Sequence, residues 1–178
     1  MDKDNTILLG IDSSSISTGW AIGDMNGKLI KYGSINPRGI IEEKLLITVN
    51  ELNKILNEYK PTFVAIEDVN CFTNPKTAKL LAEFVGVIRL TCYMFNGNEM
   101  MFYPSTSLKA IVGVNPRELK KQGITGIGVK DEVVKAVQKL YNIDIPLDKT
   151  NHYRDVADAI SVFKKLYEEL KQGELYER

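Results

Sequence analysis

Residues 6–23 read TILLGIDSSSISTGWAIG. Thr6 to Ile11 is a short, nearly continuous apolar run that ends in Asp12, the pattern of a central strand buried on both faces with a carboxylate at its end. A turn of small residues follows, then a second strand from Gly19 to Gly23. Asp24-Met25-Asn26-Gly27 supplies turn chemistry before a third strand, Leu29 to Ser34, so the chain opens as a three-stranded meander.

Beyond the meander, Leu45, Leu46, Val49, Leu52, Ile55 and Leu56 recur at helical spacing within Ile41 to Glu58, and Pro61 lies just past the expected helix end. This helix crosses over to a fourth strand, Phe63 to Ile66, which again is apolar and again runs into acid, Glu67-Asp68. Asn74-Pro75 fits a helix cap and first turn, and the stretch from Leu80 to Met94 predicts a long helix. Met100 to Tyr103 reads as a fifth strand, and Pro104 and Ser105 start a short helix that contains Lys109. Glycines at 113, 123, 126 and 128 mark a loop of about fifteen residues, long enough to suggest a substrate contact. Two further helices are expected at Asp131 to Leu140 and Asp155 to Leu170. The fold class is α/β, a five-stranded mixed sheet flanked by helices.

A chain of 178 residues with 44% hydrophobic content fills one core, so a single domain spanning 1–178 is expected. No apolar run approaches the roughly 18 residues of a membrane span, and the opening MDKDNTILLG lacks the layout of a secretory signal. A cytoplasmic protein is expected, with Cys71 and Cys92 as reduced packing residues. The formal net charge is zero, which argues against binding nucleic acid through a high overall positive charge. The distribution is uneven, because residues 71–139 carry ten basic and five acidic groups between two acidic flanks. That suits a basic surface beside a carboxylate site, and it also suits ordinary solvated helix faces.

Asp155 and Asp158 stand three apart at the start of the last helix and so share one of its faces. If that face meets the strand ends carrying Asp12 and Glu67, four carboxylates converge from three separate elements. Each signal taken singly has an ordinary reading: a turn-forming Asp, a solvated Glu, acids favoured by a helix dipole. Together they describe a cluster whose repulsion divalent cations relieve, offering the hard oxygen ligands that magnesium prefers. Two ions about 4 Å apart can activate a water and stabilise the leaving oxygen in phosphodiester hydrolysis.

GIDSSSISTGWAI resembles the first motif of the RuvC family of Holliday junction resolvases, VAIED the second and RDVADAISV the last, in the same order from about residue 6 to about residue 165. The resemblance implies an RNase H-like fold and a structure-specific endodeoxyribonuclease that places paired symmetric nicks in four-way DNA junctions. It implies Asp12, Glu67, Asp155 and Asp158 as ligands of two Mg2+ ions, for which Mn2+ can substitute, with Asp12 bridging. It also implies a homodimer, since two nicks on opposing strands need two sites related by a two-fold axis. Two departures stand out: Ser-Ser-Ser-Ile follows GID where proline and glycine are common, and residues 114–127 form a longer link than usual. The second leaves cut-site preference and any branch-migration motor partner outside what the resemblance carries over.

SLKAIVG, residues 107–113, is similar to the family segment whose lysine approaches the cut phosphate, and GVKD, residues 128–131, resembles a second one. Lys109 is expected to be catalytic and, with Lys130, to touch the DNA; a solvated lysine is the plain alternative for Lys130. Arg117, Lys120 and Lys121 are expected to meet phosphates, giving affinity without sequence information. Phe72 is either a wedge between bases or a staple on the next helix. His152, three residues before Asp155, is left out of the core site. Competing readings are a debranching nuclease acting on forks and flaps and a catalytically silent DNA-binding module. A sugar kinase or actin-like ATPase is opposed by the chain's length, which does not hold two lobes.

Overall fold

The computed structural model describes residues 5–68, 74–145 and 152–173. Strands β1 (Ile7–Ser13), β2 (Thr18–Asp24) and β3 (Leu29–Ile35) are followed by helix α1 (Ile41–Tyr59), β4 (Phe63–Glu67), α2 (Pro75–Asn96) and β5 (Met101–Tyr103). Helices α3 (Ser105–Ile111), α4 (Pro116–Lys121), α5 (Ile127–Tyr141) and α6 (His152–Gln172) complete the order. The strands lie in the order β3-β2-β1-β4-β5, antiparallel across the meander and parallel from β1 through β4 to β5. β1 is therefore central, as its unbroken apolar run requires. The turn after β2 is held by the Asp24 carboxylate, which accepts from the N–H groups of Asn26 and Lys28, both at 2.9 Å.

Alternation along β1 divides the core. Leu9 and Ile11 face α1 and α2, packing with Ile22, Leu52, Leu56, Ile66 and Ile88. Leu8 faces the opposite way, into a core built with Ala21, Ala65, α5 and α6. Full burial of each large aliphatic side chain contributes about 1.5–3 kcal/mol. On the α6 side the sheet carries very small residues, and the helix backbone comes down onto them. A Cβ on Gly10 would lie 2.4 Å from Phe163 N and 2.5 Å from Ala159 O, and one on Gly19 would lie 2.0 Å from Asp155 O. Glycine is required at both places because backbone meets backbone there.

One expectation is corrected. The segment after Gly113 is not a structureless loop: Pro116–Lys121 is a helical turn, and Gly128 already lies inside α5. The start signal of α4 is Asn115-Pro116, whose carboxamide accepts from Arg117 N at 3.0 Å and Glu118 N at 3.4 Å. It is the same chemistry as Asn74-Pro75, where Asn74 Oδ1 accepts from Lys76 N and Thr77 N. The glycines at 113, 123 and 126 take positive φ, so they punctuate the segment rather than loosen it.

Helix α2 buries Phe84, Ile88, Thr91 and Cys92 while Leu90, Tyr93 and Met94 stay 59%, 56% and 78% exposed. Together with Gly86 these exposed positions form one stripe at helical spacing. Burial pushes the Cys92 thiol up to about 12, which makes it a packing residue; Cys71 lies outside the described residues. No helix among the described residues is long and apolar enough to cross a membrane.

Candidate active site

Asp12 lies two residues beyond Gly10 on β1 and Glu67 two beyond Ala65 on β4, so alternation turns both toward α6. The close approach of α6 at Gly10 and Gly19 then brings Asp158 to the same place. Carboxylate oxygens of Asp12, Glu67 and Asp158 lie within 4.8 Å of one another, Asp158 buried and the other two partly so. Asp155, one helical turn earlier, is partly buried above β2 and outside that three-oxygen group.

Electrostatics carry the mark of this crowding. Burial, then Asp158 and Glu67, raise the Asp12 carboxyl well above the ordinary 3.8. Glu67 is raised by burial and Asp158, against Ser105 and the nearby Lys109 and Lys130 ammonium groups. Asp155 is raised by burial, against Lys130 and Ser17. Three carboxyls held above their usual range by burial and mutual repulsion are hard oxygen donors short of positive charge, and a divalent cation fits that donor set.

The expected basic residues divide. Lys130 Nζ stands 3.2 Å from Asp158 Oδ2, and although burial opposes its charge, Asp158, Asp12 and Asp155 together raise its pKa. It is a counter-ion on the cluster's exposed edge. The start of α5, which carries it, is tied to α6 by the Arg154–Asp131 ion pair at 2.7 Å. Lys109 Nζ donates to Ser105 Oγ, and both residues lie near enough to Glu67 to oppose the rise of its pKa, so the lysine sits beside the cluster next to a hydroxyl. Arg117, Lys120 and Lys121 lie exposed on α4. His152 opens α6 and lowers the Asp155 pKa. Phe72 lies outside the described residues. Sequence reasoning missed Ser105, whose only signal was its place four residues before Lys109, one helical turn away.

The raised carboxyls have a consequence for the metal-free protein. Asp12 and Glu67 bind protons more tightly folded than unfolded, so folding takes up protons as pH rises above the ordinary values of 3.8 and 4.5. The resulting penalty grows between the unfolded and folded pKa values and then levels off, so this contribution to stability falls with rising pH. In EDTA, Asp12→Asn is expected to melt above the unmodified protein at pH 7 to 8, with the gap closing toward pH 4. Thermal melts across that range check it.

The geometry has a counterpart among known proteins. The chain matches the model of the family described as crossover junction endodeoxyribonuclease RuvC over residues 8–163. The chain belongs to the RuvC family. It is 35% identical to the RuvC of Caldicellulosiruptor saccharolyticus over 161 residues, which covers 87% of this chain and 88% of the relative. With the RuvC of Alkaliphilus oremlandii the identity is 32%, covering 88% and 89%. Among solved structures, Thermus thermophilus RuvC in complex with Holliday junction substrate superposes with a TM-score of 0.74 at 14% identity, covering 94% of this chain and 96% of the other. The fowlpox virus resolvase, solved with Holliday junction DNA, gives 0.52 at 19%, covering 93% and 99%. These likenesses show the RNase H-like fold that the motifs implied.

Proposed function

We propose that the chain is a single-domain Holliday junction resolvase, an endodeoxyribonuclease that nicks four-way DNA junctions in symmetric pairs. The observation that carries the reading is the meeting of Asp12, Glu67 and Asp158 at one point of a RuvC-family fold. In this reading Asp12, Glu67, Asp155 and Asp158 hold two Mg2+ ions, for which Mn2+ can substitute. When bound, such ions supply Lewis-acid activation of water and charge stabilisation at the leaving oxygen. The chain's own part is to hold the four carboxylates at the sheet's end and to keep two ammonium groups beside them. Lys109, steadied by Ser105, meets the scissile phosphate, while Arg117, Lys120 and Lys121 meet backbone phosphates farther out. Phe72 belongs to the same DNA-facing set by its place in the motif.

The stripe of Gly86, Leu90, Tyr93 and Met94 supports a homodimer, since an exposed apolar helix face is the kind of surface a two-fold pair buries. Two catalytic centres then face opposing strands of one junction. The longer link containing α4 supports no reading of a branch-migration motor partner.

The test is incubation with a labelled four-way junction, a linear duplex of matching sequence, and forked and flapped substrates, in Mg2+ and in EDTA. Paired symmetric nicks confined to the junction and lost in EDTA are expected. Equal cutting of forks and flaps moves the protein to a debranching role, and binding without cutting makes it a silent module. Within this reading, Lys109→Ala lowers the single-turnover cleavage rate by roughly 100-fold while junction affinity changes only a few-fold. An effect on affinity alone reduces Lys109 to a phosphate contact.

A further inference from the structure

Ser17, the residue before β2, is fully buried, and its Oγ has no hydrogen-bond partner of ordinary geometry among the described residues. Its backbone is fixed: Ser17 N donates to Ser14 Oγ at 3.1 Å, and its carbonyl accepts from Ser14 N at 2.8 Å and Ser14 Oγ at 2.9 Å. A hydroxyl buried without a partner destabilises the fold, a cost that alanine at the same place avoids. A buried polar atom left in that state calls for a reason.

The placement supplies one. Ser17 and Gly19 fall on the same side of the chain by alternation, and Gly19 lies directly beneath the Asp155 backbone. The hydroxyl is near enough to the Asp155 carboxyl to lower its pKa. Asp155 is also the one acid of the four that stands outside the three-oxygen group. Carboxylates that ligate metals are themselves held by outer hydrogen bonds, and losing such a partner typically costs 10–100-fold in affinity, on the order of a tenfold step or more.

We propose that Ser17 is a positioning residue for Asp155: its hydroxyl donates to one carboxylate oxygen and leaves the other turned toward Asp12, Glu67 and Asp158 when a divalent cation binds. The inference rests on the reading of the cluster as a metal site. The bond closes fully only in the loaded protein, so the buried hydroxyl is a burden on the metal-free fold and a gain on the loaded one.

The experiment is calorimetric titration of Mn2+ into the full, metal-free chain, for the unmodified protein, Ser17→Ala, Asp155→Asn and the double variant, with thermal melts in EDTA. Ser17→Ala is expected to melt at or above the unmodified protein in EDTA and to bind Mn2+ about tenfold more weakly. In the Asp155→Asn background it has no further effect, because the group it positions is gone. If Asp155→Asn weakens binding and Ser17→Ala does not, the inference fails alone and the carboxylate reading stands. If the unmodified protein binds no Mn2+, the metal reading itself fails and takes the inference with it; if Asp155→Asn binds as well as the unmodified protein, Asp155 is no ligand and the inference fails while the three-acid site stands. A Ser17→Ala protein that melts lower, with the same loss of affinity in both backgrounds, overturns the proposal in favour of a purely structural serine.

Discussion

Asp12→Asn is expected to give a protein that binds a four-way junction and does not cut it. The substitution keeps shape and hydrogen-bonding capacity and removes one negative charge from the centre of the cluster, where Asp158 and Glu67 both press on it. If that charge serves to hold cations at the reacting phosphate, its loss costs on the order of 10^3-fold or more in rate, the scale seen when a group acting on the reacting charge is removed. Junction affinity, which the proposed reading assigns to exposed lysines and arginines, changes little. Single-turnover cleavage of a labelled junction and its fluorescence anisotropy measure the two separately. Cleavage within tenfold of the unmodified rate sinks the assignment. The same variant gains stability in EDTA, so lost activity cannot be laid to a damaged fold.

The second large effect falls on a residue with no side chain. Gly19→Ala places a methyl group 2.0 Å from the Asp155 carbonyl oxygen, a backbone atom that cannot rotate aside. Helix α6 must lift at its first turns or β2 must bend. Overpacking of this kind costs typically 1–3 kcal/mol, and a contact with rigid backbone belongs at the upper end, about 3 kcal/mol, or a fall of roughly 6–12 °C in Tm. Because the lifted turns carry Asp155 and Asp158, cleavage falls further than the folded fraction does. Denaturation curves together with cleavage rates normalised to folded protein test this. An unchanged melting temperature means that α6 does not seat on β2 as described.

Much of this was legible in the residues. The two strand-end acids announced themselves because buried strands leave long apolar runs, and a carboxylate directly after such a run is conspicuous. Asp155 and Asp158 could be paired by helical spacing, yet spacing says only that they share a face; one turn separates them along the axis, and the structure gathers Asp158 without Asp155 into the three-oxygen group. The segment containing α4 reads as a loop from its glycines, although Asn115-Pro116 carries the same helix-start signal as Asn74-Pro75. Local likeness points Lys130 at the DNA; that it also stands beside Asp158 depends on how α5 docks on α6, which no local pattern encodes. Ser17 and Ser105 were silent for a related reason: a serine has no periodicity of its own, and its meaning comes from the carboxylate folded against it.

The seating of α6 on Gly10 and Gly19 also bears on how such a chain can change over evolutionary time. Where a helix is registered on a sheet by side chains, each substitution in the contact shifts the helix a little, and errors accumulate with divergence. Here the registration is made by main chain on main chain, which every amino acid shares. The surrounding core can then exchange its aliphatic and aromatic residues widely while the acids keep their places, so long as the two bare positions stay bare.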